Sequence, residues 1–224
     1  MLTGAGLRLA FGLTQALDSV DLSVDRGEVV AVMGPSGAGK STLLHVMSGV
    51  LVPDEGSVAI GGYTLDQRSD DARSAIRLRR FGFVFQFGDL IPELSLQENV
   101  ELPLRLQGRG RDARDAATRL LVELEIADVA GRRPGQVSGG QAQRAAVARA
   151  LVHDPEFVFA DEPTGALDSA AGELVLDALT GTARRRGTGV LLVTHEARAA
   201  AYADRTVFLH DGRLATDDRL GAPS

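Results

Sequence analysis

The sequence predicts an α/β fold that carries a small antiparallel β-lobe and an inserted helical lobe. Three observations predict it. The run from Glu28 to Met33 reads as a buried strand and leads through the glycine-rich turn Gly34 to Gly39 into an apolar helix. Two short apolar runs, Glu156 to Ala160 and Val190 to Val193, have the character of central strands in a parallel sheet. Between Leu94 and about Leu151 strand signals nearly vanish, while Ala113 to Glu125 and Gln141 to Leu151 carry helical periodicity. One domain over 1–224 is therefore expected, with a β-lobe at about 1–30 and 56–64, a helical lobe at about 88–153 and an α/β core in the remainder.

The elements follow in order. Leu7 to Phe11 and Ala16 to Val24 read as strands, the second alternating apolar and polar residues before an Asp25-Arg26-Gly27 turn. A helix is expected from Ser41 to Val50, a turn at Pro53 to Gly56, and a strand from Ser57 to Ile60 closed by Gly61-Gly62. Asp70 to Arg80 reads as a charged helix, and Phe81 to Gln86 as a strand ending in a polar residue. A helix from Ala171 to Arg186 lies between the two apolar strands. Residues 206–214 form a hairpin around Asp211-Gly212, and Asp217 to Ser224 reads as a loose tail.

Composition narrows the chemistry. A chain of 224 residues with 44% hydrophobic content can bury one good core. Its net charge of −6 argues against a nucleic-acid partner, and the run Arg184-Arg185-Arg186 reads as a solvated helix end. The absence of cysteine excludes disulfides, thiol catalysis and thiolate metal sites. No apolar run approaches the roughly 18 residues that span a bilayer, and Met1 to Gly12 lacks the order of a signal peptide, so a soluble, cytoplasmic chain is expected. Lys40 is the sole lysine; every other basic side chain of the Lys/Arg type is arginine.

That lysine sits in the pattern G-x-x-x-x-G-K-[ST] at Gly34 to Ser41. Gly34, Gly37 and Gly39, with the small residues Ser36 and Ala38 between them, let backbone N–H groups approach phosphate oxygens. The helix N-terminus behind them favours anions. Lys40 can reach β- and γ-phosphates as a point charge, Ser41 is placed to ligate Mg²⁺, and Thr42 can cap the helix or touch a phosphate. The strand Phe157 to Ala160 stops at Asp161 and Glu162, where an open α/β sheet presents its ligand site. Asp161 would hold Mg²⁺ and Glu162 would polarise an attacking water as general base. Two merely solvated acids at a strand end remain the alternative.

Val137-Ser138-Gly139-Gly140-Gln141 closely matches the LSGGQ signature of the ATP-binding-cassette ATPases, with Val137 in place of leucine. The chain thus resembles that family over nearly its whole length. The resemblance implies a P-loop NTPase core of RecA-like type, ATP and Mg²⁺ as ligands, and hydrolysis of ATP. It also implies a head-to-tail pair of subunits, expected to be a homodimer, in which Ser138, Gly139, Gly140 and Gln141 of one subunit face the ATP held by the other. In the same order Gln86 resembles the Q-loop glutamine that reaches Mg²⁺ or the attacking water. Asp168, after Ala166-Leu167, resembles the D-loop residue, and His195, after Val193-Thr194, the switch histidine that bonds the γ-phosphate. Phe11 is the candidate for stacking adenine, where the family usually has tyrosine, and a core role for it stands beside that one. Ala142, where a longer polar residue is common, is the remaining departure.

Phe85-Gln86, the stretch Leu90 to Leu104 and the stretch Asp161 to Ser169 resemble the lipoprotein-release and macrolide-efflux type of this family. That branch implies a separate transmembrane permease docked between core and helical lobe, with Phe87, Leu90 and Ile91 as candidate contacts. The chain would then sit peripherally on the inner face of the cell membrane. It would power export, lipid or lipoprotein extraction, or mechanical signalling. A soluble cassette ATPase without a membrane partner, a division-linked regulatory ATPase and an unrelated GTPase or kinase are the competing readings. The last would leave the signature unexplained. Replacing Lys40 by alanine is expected to weaken ATP binding by about tenfold to a hundredfold in an equilibrium titration, the loss typical of a charge-assisted contact.

Overall fold

The computed structural model describes residues 1–215, and the expected tail, Asp217 to Ser224, lies outside them. The strands are β1 (Leu2–Phe11), β2 (Thr14–Val24), β3 (Val29–Met33), β4 (Glu55–Ile60), β5 (Tyr63–Thr64), β6 (Phe81–Phe85), β7 (Phe157–Asp161), β8 (Gly189–Val193), β9 (Arg205–His210) and β10 (Arg213–Leu214). The helices are α1 (Lys40–Met47), α2 (Asp70–Arg80), α3 (Leu96–Leu106), α4 (Gly110–Glu123), α5 (Gly139–Leu151), α6 (Ser169–Arg186) and α7 (Ala197–Ala200). β2, β1, β4 and β5 make an antiparallel sheet in that order. The second sheet runs β10-β9-β3-β8-β7-β6, parallel from β9 to β6, with β10 closing a hairpin on β9.

The central strands β3, β8 and β7 are covered on both faces, which is why they are almost wholly apolar, whereas the outer strand β9 carries Arg205, Thr206 and His210. Along β7, Val158 and Ala160 face a core shared with α3, α4, α5 and α6, while Phe157 and Phe159 face the core under the antiparallel sheet and α1. β8 divides likewise into Val190 and Leu192 against Leu191 and Val193. Side chains two apart share a face in a strand, so one run of residues serves two cores. Each fully buried Leu or Phe contributes about 1.5–3 kcal/mol.

Local signals set most boundaries. α2 starts at the Ser69 cap with Asp70 and Asp71 in its first turn and three arginines in its last, a charge order that complements the helix dipole. α1 ends at Met47, three residues short of the expected Val50, because the N–H groups of Val50 and Leu51 both turn back to the His45 carbonyl. α3 was not separately expected: Pro103 lies inside it and masks a helix that a Ser95–Glu98 capping box starts. Leu96, Val100 and Leu104 give it one apolar stripe. Fully buried Asn99 on α3 pins the preceding loop, donating to the carbonyls of Ile91, Leu94 and Ser95 and accepting from the Ile91 N–H.

The arginine run at the end of α6 is not a free solvated end. Arg184 pairs with Asp204 at 2.8 Å, Arg185 with Glu123 at 2.7 Å, and Arg186 with both Glu123 at 3.3 Å and Asp154. Glu123 ends α4, so two of these pairs tie the helices on that face to one another. Burial pushes the Glu123 carboxyl up, but Arg185 and Arg186 together outweigh it and hold it below the usual glutamate range. A carboxyl whose native value is depressed stabilises the fold at pH above its unfolded value and loses that contribution as pH falls through the native one. In melting experiments the wild type should therefore lose more stability than Glu123→Gln on going from about pH 6 to about pH 4. Equal slopes would show that the pairs are screened.

Candidate functional site

The carboxyl ends of β3, β8, β7 and β6 lie side by side, and the chemistry-bearing residues follow them. Val32 pairs with Val193, Val193 with Asp161, and Asp161 with Phe85. The register therefore brings Gly34 to Ser41, Thr194 and His195, Asp161 and Glu162, and Gln86 to one edge of the sheet. A cleft of about 800 Å³ opens there, lined by Phe11, Thr14, Gln15, Ala16, the turn residues Pro35 to Gly37, Gly39 to Thr42, Glu162 and His195.

The phosphate turn is shaped by backbone contact. Gly34 has φ +150°, and a Cβ there would lie 2.0 Å from the Leu209 carbonyl oxygen; Gly39 has φ +98°, and a Cβ there would lie 2.3 Å from the Ala16 oxygen. Only glycine fits either place. α1 begins at Gly39 with no side-chain cap, whereas α2, α3, α5 and α6 begin at Ser69, Ser95, Ser138 and Asp168 with caps made. The first N–H groups of α1 thus remain available to an anion. Lys40 is buried, and its ammonium donates to the carbonyls of Gly34 at 2.8 Å and Pro35 at 2.9 Å, which holds the charge across the turn. Ser36 and Gly37 are exposed at the rim, and Ala38 is buried beneath them.

Asp161 and Glu162 are adjacent and differ in setting. Burial pushes the Asp161 carboxyl up against the opposing influence of the neighbouring Ser41 hydroxyl and His45, with Glu162 adding to the rise. Its Oδ1 is buried without a hydrogen-bond partner. A buried, unpartnered carboxylate oxygen beside a hydroxyl is a donor set suited to a hard divalent cation, so Mg²⁺ fits Asp161 and Ser41. Glu162 has φ +47°, a left-handed conformation uncommon outside glycine, fixed by its N–H donating to the Val193 carbonyl at 2.9 Å. Its Oε1 lies 2.8 Å from His195 Nδ1, and its Oε2 accepts from the Thr194 hydroxyl at 3.3 Å.

The remaining expected residues lie apart from the cleft or at its margin. Phe11, 54% exposed, stands at the end of β1 in the cleft wall, so it is not a core aromatic. The Gln86 amide packs against Gly165 at the edge of the Asp161–Glu162 turn and does not line the cleft. Asp168 caps α6 by accepting from the Ala171 N–H at 2.9 Å. Ser138 caps α5 and accepts from the Gln141 N–H, while Gln141 Oε1 accepts in return from the Ser138 N–H. Ser138 and Gly139 are exposed, and the whole turn lies outside the cleft lining. Sequence reasoning missed Thr14 and Gln15 in the cleft wall and Thr194 behind Glu162. Proximity to Phe11 and His195 was the only available signal.

Residues 17–165 match the profile of the ABC transporter family. The chain belongs to that family. This ABC ATPase is 47% identical over 207 residues to the lipoprotein-releasing system ATP-binding protein LolD of Ruegeria pomeroyi, covering 92% of this chain and 91% of the relative. It is 44% identical over 214 residues to the macrolide export ATP-binding/permease protein MacB 1/2 of Paracoccus denitrificans, covering 95% of this chain and 32% of that relative. It therefore spans about a third of the macrolide exporter's length. The dimeric structure of MJ0796, a bacterial ABC transporter cassette, superposes with a TM-score of 0.88 at 38% identity, each chain covered in full. A post-hydrolysis dimer of MJ0796 bound to ADP and Pi gives 0.87. The fold is thus that of an ABC cassette, and the protein is an ATP-binding ATPase. Phe11→Ala is expected to weaken ATP binding about tenfold, the order of one lost base stack, while leaving affinity for inorganic triphosphate unchanged. An equal loss for both ligands would remove Phe11 as the base contact.

Proposed function

We propose that this ABC ATPase pairs with a second copy of itself to enclose two Mg-ATP and so drives a transmembrane permease. One observation carries the reading. The cradle, Asp161, Glu162 and His195 gather at a single edge, while the Ser138–Gln141 turn, a second helix N-terminus with Ser138 and Gly139 exposed, lies outside that cleft. A twofold, head-to-tail pair brings the turn of each subunit to the cleft of the other. The dimeric MJ0796 cassettes support it.

In the proposed site the N–H groups from Ser36 to Thr42 and the Lys40 ammonium hold the phosphates, and Phe11 stacks the base. Ser41 and Asp161, with Gln86 at the margin, would hold Mg²⁺, which supplies charge neutralisation at the β- and γ-phosphates. Glu162 accepts a proton from water as the water oxygen attacks the γ-phosphorus and the bond to the ADP oxygen breaks. His195 keeps Glu162 in place through Nδ1 and presents its other ring nitrogen to the nucleotide. Asp168 holds the start of α6 beside the facing subunit.

An apolar groove of about 380 Å³ is lined by Phe81, Phe83, Phe85, Leu102 and Leu106 among others, and Phe87 and Ile91, which follow Phe85 in sequence, are exposed. The groove is the proposed permease dock, with Leu90, half-buried against the core, beside the more exposed Phe87 and Ile91 in sequence. Among the described residues no helix is long and apolar enough to cross a membrane. Separately, the similarity to the LolD ATP-binding proteins, about nine-tenths of whose length the chain covers, supports a peripheral position on the cytoplasmic face and a permease carried on another chain, serving lipoprotein or lipid extraction or export.

Glu162→Gln should bind ATP but turn over about 10²–10⁴-fold more slowly, the usual contribution of a general base. Light scattering of that variant should show its mass doubling on addition of ATP and Mg²⁺. A mass unchanged by ATP would overturn the head-to-tail reading, and wild-type turnover would remove Glu162 as base.

A further inference from the structure

We propose that Thr194 is a positioning residue for hydrolysis, its hydroxyl fixing the orientation of the Glu162 carboxylate. This deepens the proposed function and rests on the assignment of Glu162 as general base. Thr194 is fully buried, so water does not compete for its hydroxyl. Its backbone is fixed, since its N–H donates to the Val32 carbonyl at 3.1 Å at the end of the strand that leads into the phosphate turn.

The hydroxyl has one proton to give and oxygen lone pairs to receive. The Glu196 N–H donates to Thr194 Oγ1 at 3.0 Å, closing a local turn two residues on. That contact consumes acceptor capacity and leaves the hydroxyl proton free. The proton is directed to Glu162 Oε2, 3.3 Å away. Glu162 is then held at three atoms: N–H to the Val193 carbonyl, Oε1 by His195 Nδ1, and Oε2 by Thr194 Oγ1.

The two carboxylate contacts differ in exposure. His195 has 62% of its side chain exposed, while Thr194 is at 0%. The histidine can swing away on its exposed side, whereas the threonine is enclosed on all sides, with its backbone held by the Val32 carbonyl and its hydroxyl by the Glu196 N–H. Thr194 therefore supplies the fixed reference for the carboxylate plane, and His195 the adjustable one. A general base must meet its water within a few tenths of an ångström and a narrow angle, so a free carboxylate rotor costs rate and not nucleotide affinity.

Thr194→Val keeps the shape and removes the hydroxyl, and Thr194→Ser keeps the hydroxyl. Steady-state ATPase assays should show kcat falling about tenfold to a hundredfold in Thr194→Val, the effect of one hydrogen bond to a charged group, with KM for ATP unchanged. Thr194→Ser should restore most of the rate. In a Glu162→Gln background Thr194→Val should cost little more, because the carboxylate it orients is gone. Wild-type kcat in Thr194→Val, or a loss that Thr194→Ser shares, would overturn the inference while leaving Glu162 as base. A Glu162→Gln enzyme that still turns over normally would instead overturn the underlying assignment. A folding defect would appear as a lowered melting temperature and a raised KM, and that pattern also counts against a positioning role.

Discussion

The phosphate turn is held where it is because backbone meets backbone around it. Gly34 lies against the Leu209 carbonyl and Gly39 against the Ala16 carbonyl, with no space for a side chain at either. The turn of the last hairpin completes the enclosure: the Gly212 N–H donates to the Ala38 carbonyl at 3.1 Å, and the Gly212 carbonyl accepts from the Asp18 N–H at 2.8 Å. The antiparallel sheet, the parallel sheet and the β9–β10 hairpin therefore converge on six residues of loop. Peptide groups in direct contact leave little freedom, so the N–H groups at the start of α1 are oriented before any anion arrives.

Two features under tension lie just beside this rigid turn. Asp161 keeps a buried oxygen without a partner, and Glu162 keeps a left-handed backbone that a non-glycine residue seldom adopts. Other buried polar groups, such as Asn99, Thr180 and Thr188, find their partners, whereas His153 Nδ1 and Arg73 Nε do not. Strain and unmet bonding capacity persist only where surrounding structure over-determines them, here two apolar cores on either face of β7 and a parallel partner on each side. Fold stability and chemical readiness thus draw on the same strand.

Much of this was legible in the sequence where a residue type has only one physical use. The apolar strands, the glycine turn with Lys40, and the carboxylates closing β7 follow from local pattern alone. What was hidden depended on distance along the chain. α3 was obscured by Pro103, although its capping box at Ser95 and Glu98 was a readable start signal. The arginines of α6 looked solvated because their partners, Glu123, Asp154 and Asp204, lie 20 or more positions away. Whether Phe11 faced core or cleft depended on the β1–β2 pairing, and Thr194 gained its meaning only when β7 and β8 were set in register.

The reciprocal cap between Ser138 and Gln141 has a kinetic consequence. Both ends of that turn are already bonded in the single subunit, so its shape does not await a facing surface. In the proposed pair, association is then an encounter of finished surfaces, without an ordering step at the turn. Under that proposal the lifetime of the pair becomes the quantity that nucleotide chemistry can adjust, and the rate of meeting is left to diffusion and local concentration.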